Sequence, residues 1–144
     1  MDNDQTLAVL LCRLQELRQS FYGVRQRSLQ LCEPLHLEDY GVQPMADASP
    51  PKWHLAHTSW FFDTFILSVW QKNYAAFHPA YAHLFNSYYN GVGDPFPRAR
   101  RGNLSRPTLD EVLAYRRFFD DAISELVDSY LSGAAAGQIE KVVE

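Results

Sequence analysis

The sequence predicts an all-α protein. Three long stretches place apolar side chains three or four residues apart, which is the period of one helix face, and no stretch of useful length alternates apolar and polar residues. These stretches cover residues 5–32, 51–72 and 108–133. A fourth pattern opens at residue 138 and ends after about two helical turns. The pattern therefore favours an up-down-up-down four-helix bundle whose fourth helix is largely truncated.

The first two helices have recognisable ends. Pro34 ends the first, because proline lacks a backbone N–H and clashes with the preceding turn. A loop rich in proline and apolar residues follows, over about 33–51. We expect Ser49 to cap the second helix, since the two prolines after it suit a first helical turn. Apolar residues and histidines cover this helix almost all round, which predicts burial on most sides.

The second half of the chain predicts a short helix, a loop and a long helix. The short helix is expected over 79–90 and the loop over 91–107, which holds three glycines and three prolines. The long helix begins with a capping box, in which the Thr108 hydroxyl and the Glu111 carboxylate satisfy first-turn amides reciprocally. Gly133 is expected to end it.

Composition limits the possible functions. The 144 residues predict one domain spanning 1–144, and 13 basic against 17 acidic residues give a net charge of −4. This acidic balance argues against a nucleic-acid or anionic-membrane partner. No apolar run is long enough to cross a bilayer, and the polar N-terminus is unlike a secretory signal. We expect a soluble cytoplasmic protein.

Two histidines of the second helix are candidate metal ligands. His54 and His57 are three residues apart and share a helix face. Imidazole is the commonest metal ligand, and bundle interiors are where ligands from several helices converge. Two histidines do not complete a site. The spacing alone favours the alternative, a hydrogen-bonded pair with a structural role.

A basic loop is the candidate anion site. Four arginines and no acidic residue lie between Asp94 and Asp110: Arg98, Arg100, Arg101 and Arg106. The guanidinium group binds carboxylates and phosphates in a planar, bidentate manner, so a small anionic substrate fits this loop. The alternative is a solvated loop that pairs with surface acids. Tyr88 could place a hydroxyl at a pocket edge, although packing is the simpler role.

Three segments carry a resemblance to a known family. They are residues 43–63, which contain the string K-W-H-L-A-H-T, residues 84–93, and residues 98–116, which contain R-G-N-L-S-R-P. Together they resemble the N-terminal DinB-like domain of the ergothioneine-biosynthesis sulfoxide synthases, in the same order along nearly the whole chain.

The resemblance implies an oxygen-dependent activity. Members of this family hold a non-haem iron(II) through three histidines and use O₂ to join cysteine or γ-glutamylcysteine to hercynine as a sulfoxide. The metal ligand carried over is His57, and Arg100 or Arg101 is expected to hold the carboxylate of the thiol substrate. His54 and Tyr88 would support the site or serve the fold, and no residue of this chain matches a catalytic residue. Three neutral imidazoles leave open positions on iron for thiolate and O₂, in agreement with that chemistry.

The resemblance also implies an incomplete site. The other two histidines belong to an H-x-x-x-H pair on the fourth helix, where this sequence stops. We therefore expect the chain alone to be inactive and its exposed bundle face to favour self-association. Two alternatives remain open, namely another DinB-like metal-dependent thiol transferase and a non-catalytic helical interaction module.

Overall fold

A computed structural model describes residues 3–133 and 141, with side chains from residue 5 onward. The helices are α1 (Asn3–Cys32), α2 (Pro51–Phe62), α3 (Ser68–Trp70), α4 (Tyr81–Leu84) and α5 (Leu109–Gly133). No strand occurs among these described residues, so the all-α prediction is confirmed. The predicted fourth bundle helix, residues 138–144, lies outside the described residues except for Lys141, which is helical.

Three shorter helical segments complete the described chain. Single 3-10 helices cover Leu37–Gly41 and Arg98–Asn103, inside the two regions that the sequence predicts as loops. A π-helical turn, Asp63–Leu67, joins α2 to α3. Wider turns of this kind are rare and place one extra residue in the helical turn. They therefore change which side chains face the same direction on either side of them.

The start of α5 confirms the predicted capping box. The Thr108 backbone N–H donates to Glu111 Oε2 at 2.6 Å, and the Glu111 N–H donates to Thr108 Oγ1 at 3.2 Å. The Thr108 backbone N–H and the Thr108 hydroxyl, which donates to Glu111 Oε2 at 3.0 Å, lower the pKa of Glu111, because both bonds favour the ionised carboxylate. The helix extends through the described residues to Gly133, and the predicted stop there stays a prediction because residues 134–140 lie outside the described residues.

The predicted cap of α2 is wrong. Pro50 is the N-cap residue and no side chain caps the helix. The Ser49 hydroxyl instead accepts a hydrogen bond from Arg101, 52 residues further along the chain. The second helix is also interrupted by the π-helical turn and ends at Trp70, two positions before the predicted residue 72.

The short helix predicted over 79–90 is wrong in length, since α4 covers only four residues. Asn86 explains why the chain turns after it. This buried side chain donates to the carbonyl oxygens of Tyr89 and Gly93 at 3.1 and 2.9 Å and accepts from the Tyr89 N–H. Asparagine side chains that bond neighbouring backbone groups stabilise turns in place of helix.

The described chain divides into two compact units. The first combines Met1–Leu31 with Ala122–Glu144. In it the Arg18 guanidinium lies 2.6 Å from the Asp128 carboxylate, and Leu14 is buried. The expected apolar stripe of α1 is only partly buried, because Val24 and Leu31 are exposed.

The second unit, Cys32–Asp121, carries the candidate functional residues. Its core is mainly aromatic. One cluster of buried side chains in it contains Trp53, Leu55, Ala56, Trp60, Tyr81, Phe85, Val112 and Tyr115. Within the described part of the chain, no helix has the length and apolar character that crossing a membrane requires.

Candidate functional site

The imidazole of His57 lies between two indole rings. Trp53 is four residues before it and Trp60 three residues after it, so all three side chains share one face of α2. The ring centroids are 4.6 Å from Trp53 and 5.6 Å from Trp60, with interplanar angles of 14° and 19°. The two tryptophans are buried and the histidine is half-buried. Stacking on both neighbours holds the imidazole plane in one orientation.

A backbone carbonyl fixes the tautomer of His57. Its Nδ1 lies 2.6 Å from the carbonyl oxygen of Phe85, the C-cap residue of α4. Because a carbonyl oxygen only accepts, Nδ1 carries the proton and Nε2 keeps its lone pair. Burial lowers the pKa of His57, the Phe85 carbonyl acts in the opposite direction, and Arg101 lowers it further. The resulting neutral imidazole with an unprotonated Nε2 is the form that binds metals.

A buried cation lies beside this stack. Arg101 is 4% exposed, and the centre of its guanidinium lies 3.5 Å from the Trp53 ring centroid. Its NH1 donates to Ser49 Oγ at 2.9 Å. Burial and the neighbouring Arg98 lower the pKa of Arg101 to about 10, so the group stays charged at neutral pH. No acidic side chain of the described residues forms an ion pair with Arg101, which makes it a buried charge without an acid there.

Two buried donors next to His57 lack an acceptor within the described residues. They are Nε1 of Trp60 and Nε of Arg101. A buried donor without a partner is unfavourable by about 1–3 kcal/mol and is rare in folded proteins. A group that came within reach of these two donors would have to offer acceptor atoms, as a carboxylate does.

The ligand-type side chains of the described residues form no three-membered group. Across residues 3–133 and 141, no group of three His, Cys, Asp or Glu side chains is arranged to hold a metal ion. His57 has the orientation and protonation of a ligand.

Comparison with known protein families identifies the superfamily of the chain. A profile of the DinB superfamily matches residues 20–139, which include the His57 stack and the arginine-bearing 3-10 helix. The chain belongs to the DinB superfamily. No curated protein matches it. Superfamily membership agrees with the all-helical fold, whereas it does not select one activity among those that the superfamily contains.

The two candidate arginines of this DinB domain differ in position. Arg101 lies against Trp53, whereas Arg100 is exposed. Consecutive residues of the 3-10 helix point in different directions, so only one of the pair faces the tryptophan. Of the two carboxylate-binding candidates, the structure brings Arg101 to the neighbourhood of His57.

The two supporting candidates also differ. His54 is exposed and meets Trp53 edge-on at 5.6 Å, and partial desolvation together with Arg101 and Arg98 lowers its pKa. Tyr88 is 69% exposed and packs against Arg98, with the guanidinium 5.0 Å from its ring centroid. The DinB domain therefore keeps His54 at the edge of the site and places Tyr88 on its surface.

Sequence reasoning missed a second polar centre in this DinB domain. Asp63, the first residue of the π-helical turn, is 6% exposed and accepts a 2.7 Å hydrogen bond from the Tyr115 hydroxyl. Desolvation raises the pKa of Asp63, while hydrogen bonds from Tyr115 and Tyr74 act in the opposite direction. Burial and the nearby carboxylate raise the pKa of Tyr74 to about 12. Fifty-two residues separate Asp63 from Tyr115, so no local spacing signals the pair.

The sequence did contain a signal for the aromatic stack. Trp53, His57 and Trp60 stand at i, i+4 and i+7, the spacing of neighbours along one helix face. Helical periodicity alone indicates that these side chains line one side. It leaves open whether they form a core or enclose a polar group, and the Phe85 carbonyl that decides this belongs to another element.

Proposed function

We propose that this DinB superfamily domain is the metal-binding N-terminal part of a non-haem iron sulfoxide synthase. The enzyme would join a cysteine-type thiol to hercynine with O₂, in ergothioneine biosynthesis. One observation carries the proposal: a neutral imidazole, His57, is held by a carbonyl so that its Nε2 is unprotonated. The three sequence segments that resemble this family support it, because the second of its motifs supplies Phe85 and the first supplies His57.

His57 is the proposed iron ligand. The carbonyl of Phe85 holds the proton on Nδ1 and so keeps Nε2 ready to donate its lone pair. Trp53 and Trp60 restrict the rotation of the ring and exclude water from both of its faces. When bound, iron(II) supplies open coordination positions for the thiol and for O₂. The remaining ligands would come from outside the described residues.

Arg101 is the proposed binding residue for the carboxylate of cysteine or γ-glutamylcysteine. Its guanidinium is buried, charged and without an acidic partner among the described residues, so a substrate carboxylate would satisfy it. Arg100, the other candidate, is exposed and contributes less to a desolvated site. A carboxylate fixed by Arg101 would orient the attached thiol and restrict its motion relative to His57.

Iron(II) titration under anaerobic conditions tests the metal assignment. His57→Asn retains an amide donor that can reach the Phe85 carbonyl, and it removes the ligand nitrogen. We expect this variant to lose iron affinity by about tenfold or more, as ligand-shell changes do. His54→Asn, on the same helix, is the matched control and should bind iron like the wild type. Equal affinity in all three proteins would overturn the assignment.

Product analysis distinguishes the enzyme classes. Because we expect the chain alone to be inactive, the iron-loaded enzyme that contains this domain is incubated with hercynine and either cysteine or γ-glutamylcysteine, with and without O₂. An O₂-dependent sulfoxide supports the synthase, whereas thiol transfer without O₂ supports a metal-dependent thiol transferase. The second candidate is a non-catalytic helical module, favoured by the lack of a three-ligand group among the described residues. Folded protein that binds no iron would support that candidate.

A further inference from the structure

The side chain of Gln43 holds the 3-10 helix Arg98–Asn103 at two points. Its Nε2 donates to the Arg98 carbonyl oxygen at 2.8 Å, and its Oε1 accepts from the Gly102 N–H at 2.6 Å. Both atoms of one amide are therefore used on opposite ends of a six-residue segment. Nε2 also lies 3.3 Å from the Ala46 carbonyl oxygen, which ties the amide to its own loop.

The contact is close as well as polar. A Cβ atom added at Gly102 would lie 2.6 Å from the Cβ of Gln43, nearer than carbon atoms approach without displacement. The Gln43 side chain can lie this close to the backbone of residue 102 because that residue has no side chain. A larger residue at position 102 would push the 3-10 helix away from Gln43.

The segment that Gln43 holds is the one that carries Arg101. This arginine sits between the two bonded residues, and its side chain reaches Ser49 and the Trp53 ring. A small rotation of so short a helix would swing the long side chain off the indole. Two bonds to the segment's ends oppose this rotation, in the way that supporting hydrogen bonds orient the residues of a binding site.

We propose that Gln43 is a positioning residue that holds the Arg101 guanidinium against Trp53 beside His57. The hydrogen bonds and the close contact of Gln43 support this positioning role directly. The use of the positioned Arg101 to bind a substrate carboxylate rests on the proposed function.

Arginine labelling tests the inference. Phenylglyoxal modifies accessible guanidinium groups, and mass spectrometry resolves Arg100 from Arg101. In the wild type, Arg101 should react about tenfold more slowly than the exposed Arg100, because reaction requires local opening. Gln43→Met keeps the side-chain length and removes both hydrogen bonds. We expect it to bring the rate at Arg101 close to the rate at Arg100.

The control and a spectroscopic signature separate positioning from general stability. Met45→Ala changes an exposed residue of the same loop, one without such bonds, and should leave Arg101 protected. Ring-current shifts of the Arg101 side-chain protons, caused by the Trp53 ring, should shrink in Gln43→Met and persist in Met45→Ala. Folded Gln43→Met with wild-type labelling and shifts would overturn the inference.

A second variant keeps the test decisive if Gln43→Met does not fold. Gln43→Glu retains an acceptor for the Gly102 N–H and loses the donor to Arg98, so labelling at Arg101 should rise to an intermediate rate. Wild-type protection in this variant would contradict the two-point support. Neither readout uses iron or substrate, so failure of the proposed function leaves this result unchanged, and failure here leaves the iron titration unchanged.

Discussion

Two ionisable side chains, six residues apart along one helical stretch, have hydrogen-bond partners of opposite kinds. His57, in α2, is half-buried between two indoles, and its neutral form has one bonded and one unbonded nitrogen. Asp63, at the start of the π-helical turn, is buried and accepts a hydrogen bond from Tyr115. Burial disfavours the charged form of both groups, lowering one pKa and raising the other.

The partners decide what each group can do. A carbonyl acceptor turns His57 into a donor on one side and leaves its other nitrogen available for a ligand. A phenol donor turns Asp63 into an acceptor inside the core, where it links α5 to the helical stretch of α2. We therefore assign a structural role to Asp63, and the binding role of His57 remains the proposal made above.

The largest expected effect comes from removing the ring that His57 and Arg101 share. Trp53→Ala deletes a buried indole, its stacking on His57, and a 2.9 Å hydrogen bond from its Nε1 to the Leu84 carbonyl. We expect a loss of about 3–5 kcal/mol in the free energy of unfolding, because truncation of a buried aromatic side chain leaves a cavity. Denaturant unfolding measures it.

An exposed aromatic residue provides the control for this variant. Tyr88→Ala should change the unfolding free energy by no more than about 0.5 kcal/mol, as substitutions at exposed positions usually do. A similar loss in both variants would mean that the stack around His57 is not a special feature of the fold.

A smaller loss of stability is expected when the hydrogen bond to Asp63 is removed. Tyr115→Phe removes the hydroxyl that donates to Asp63 and leaves a buried carboxylate with less hydrogen bonding. We expect about 1–3 kcal/mol of destabilisation at pH 7. Protonation of Asp63 relieves part of this penalty, so the difference from wild type should be smaller near pH 4. Thermal or denaturant unfolding at pH 7 and near pH 4 measures the destabilisation. An equal destabilisation at the two pH values would contradict this prediction.

Asp63→Asn should mainly change how the free energy of unfolding depends on pH. The folded-state pKa of Asp63 is raised above its ordinary value of 3.8, so the unfolded chain releases this proton first as pH rises. The wild type therefore loses stability from this group above about pH 4. Because the amide oxygen can still accept from Tyr115, we expect the variant to be more stable at pH 7, on the order of 1 kcal/mol.

The quantity to compare is the difference in unfolding free energy between wild type and Asp63→Asn at each pH. The contributions of the other titrating groups cancel in this difference. It should be smallest below the ordinary pKa of the carboxyl and grow with rising pH. A difference that shrinks as pH rises would show that the folded state favours the ionised carboxylate.

Local features of the sequence predicted part of this structure. The start of α5 was predictable because Thr108 and Glu111 satisfy each other's backbone groups within one turn. The long helices followed from apolar periodicity, although the π-helical turn at Asp63 has no comparable signal. The position of His57 on a helix was predictable, whereas the carbonyl that sets its tautomer was not.

Contacts between distant residues account for what sequence reasoning missed. Ser49 has the chemistry of a helix cap, but Arg101 uses its hydroxyl. Gln43 meets Gly102 across 59 residues, and no spacing rule connects them. Positions 100 and 101 are both arginine and are adjacent in sequence, so only the three-dimensional position of Trp53 distinguishes them.

The tautomer of His57 tests the central claim most directly. Two-bond ¹H–¹⁵N correlation spectra of the imidazole at pH 7 report which nitrogen carries the proton. The account predicts a neutral ring with the proton on Nδ1 and an unprotonated Nε2. A ring protonated on Nε2 alone, or an imidazolium at this pH, would contradict it.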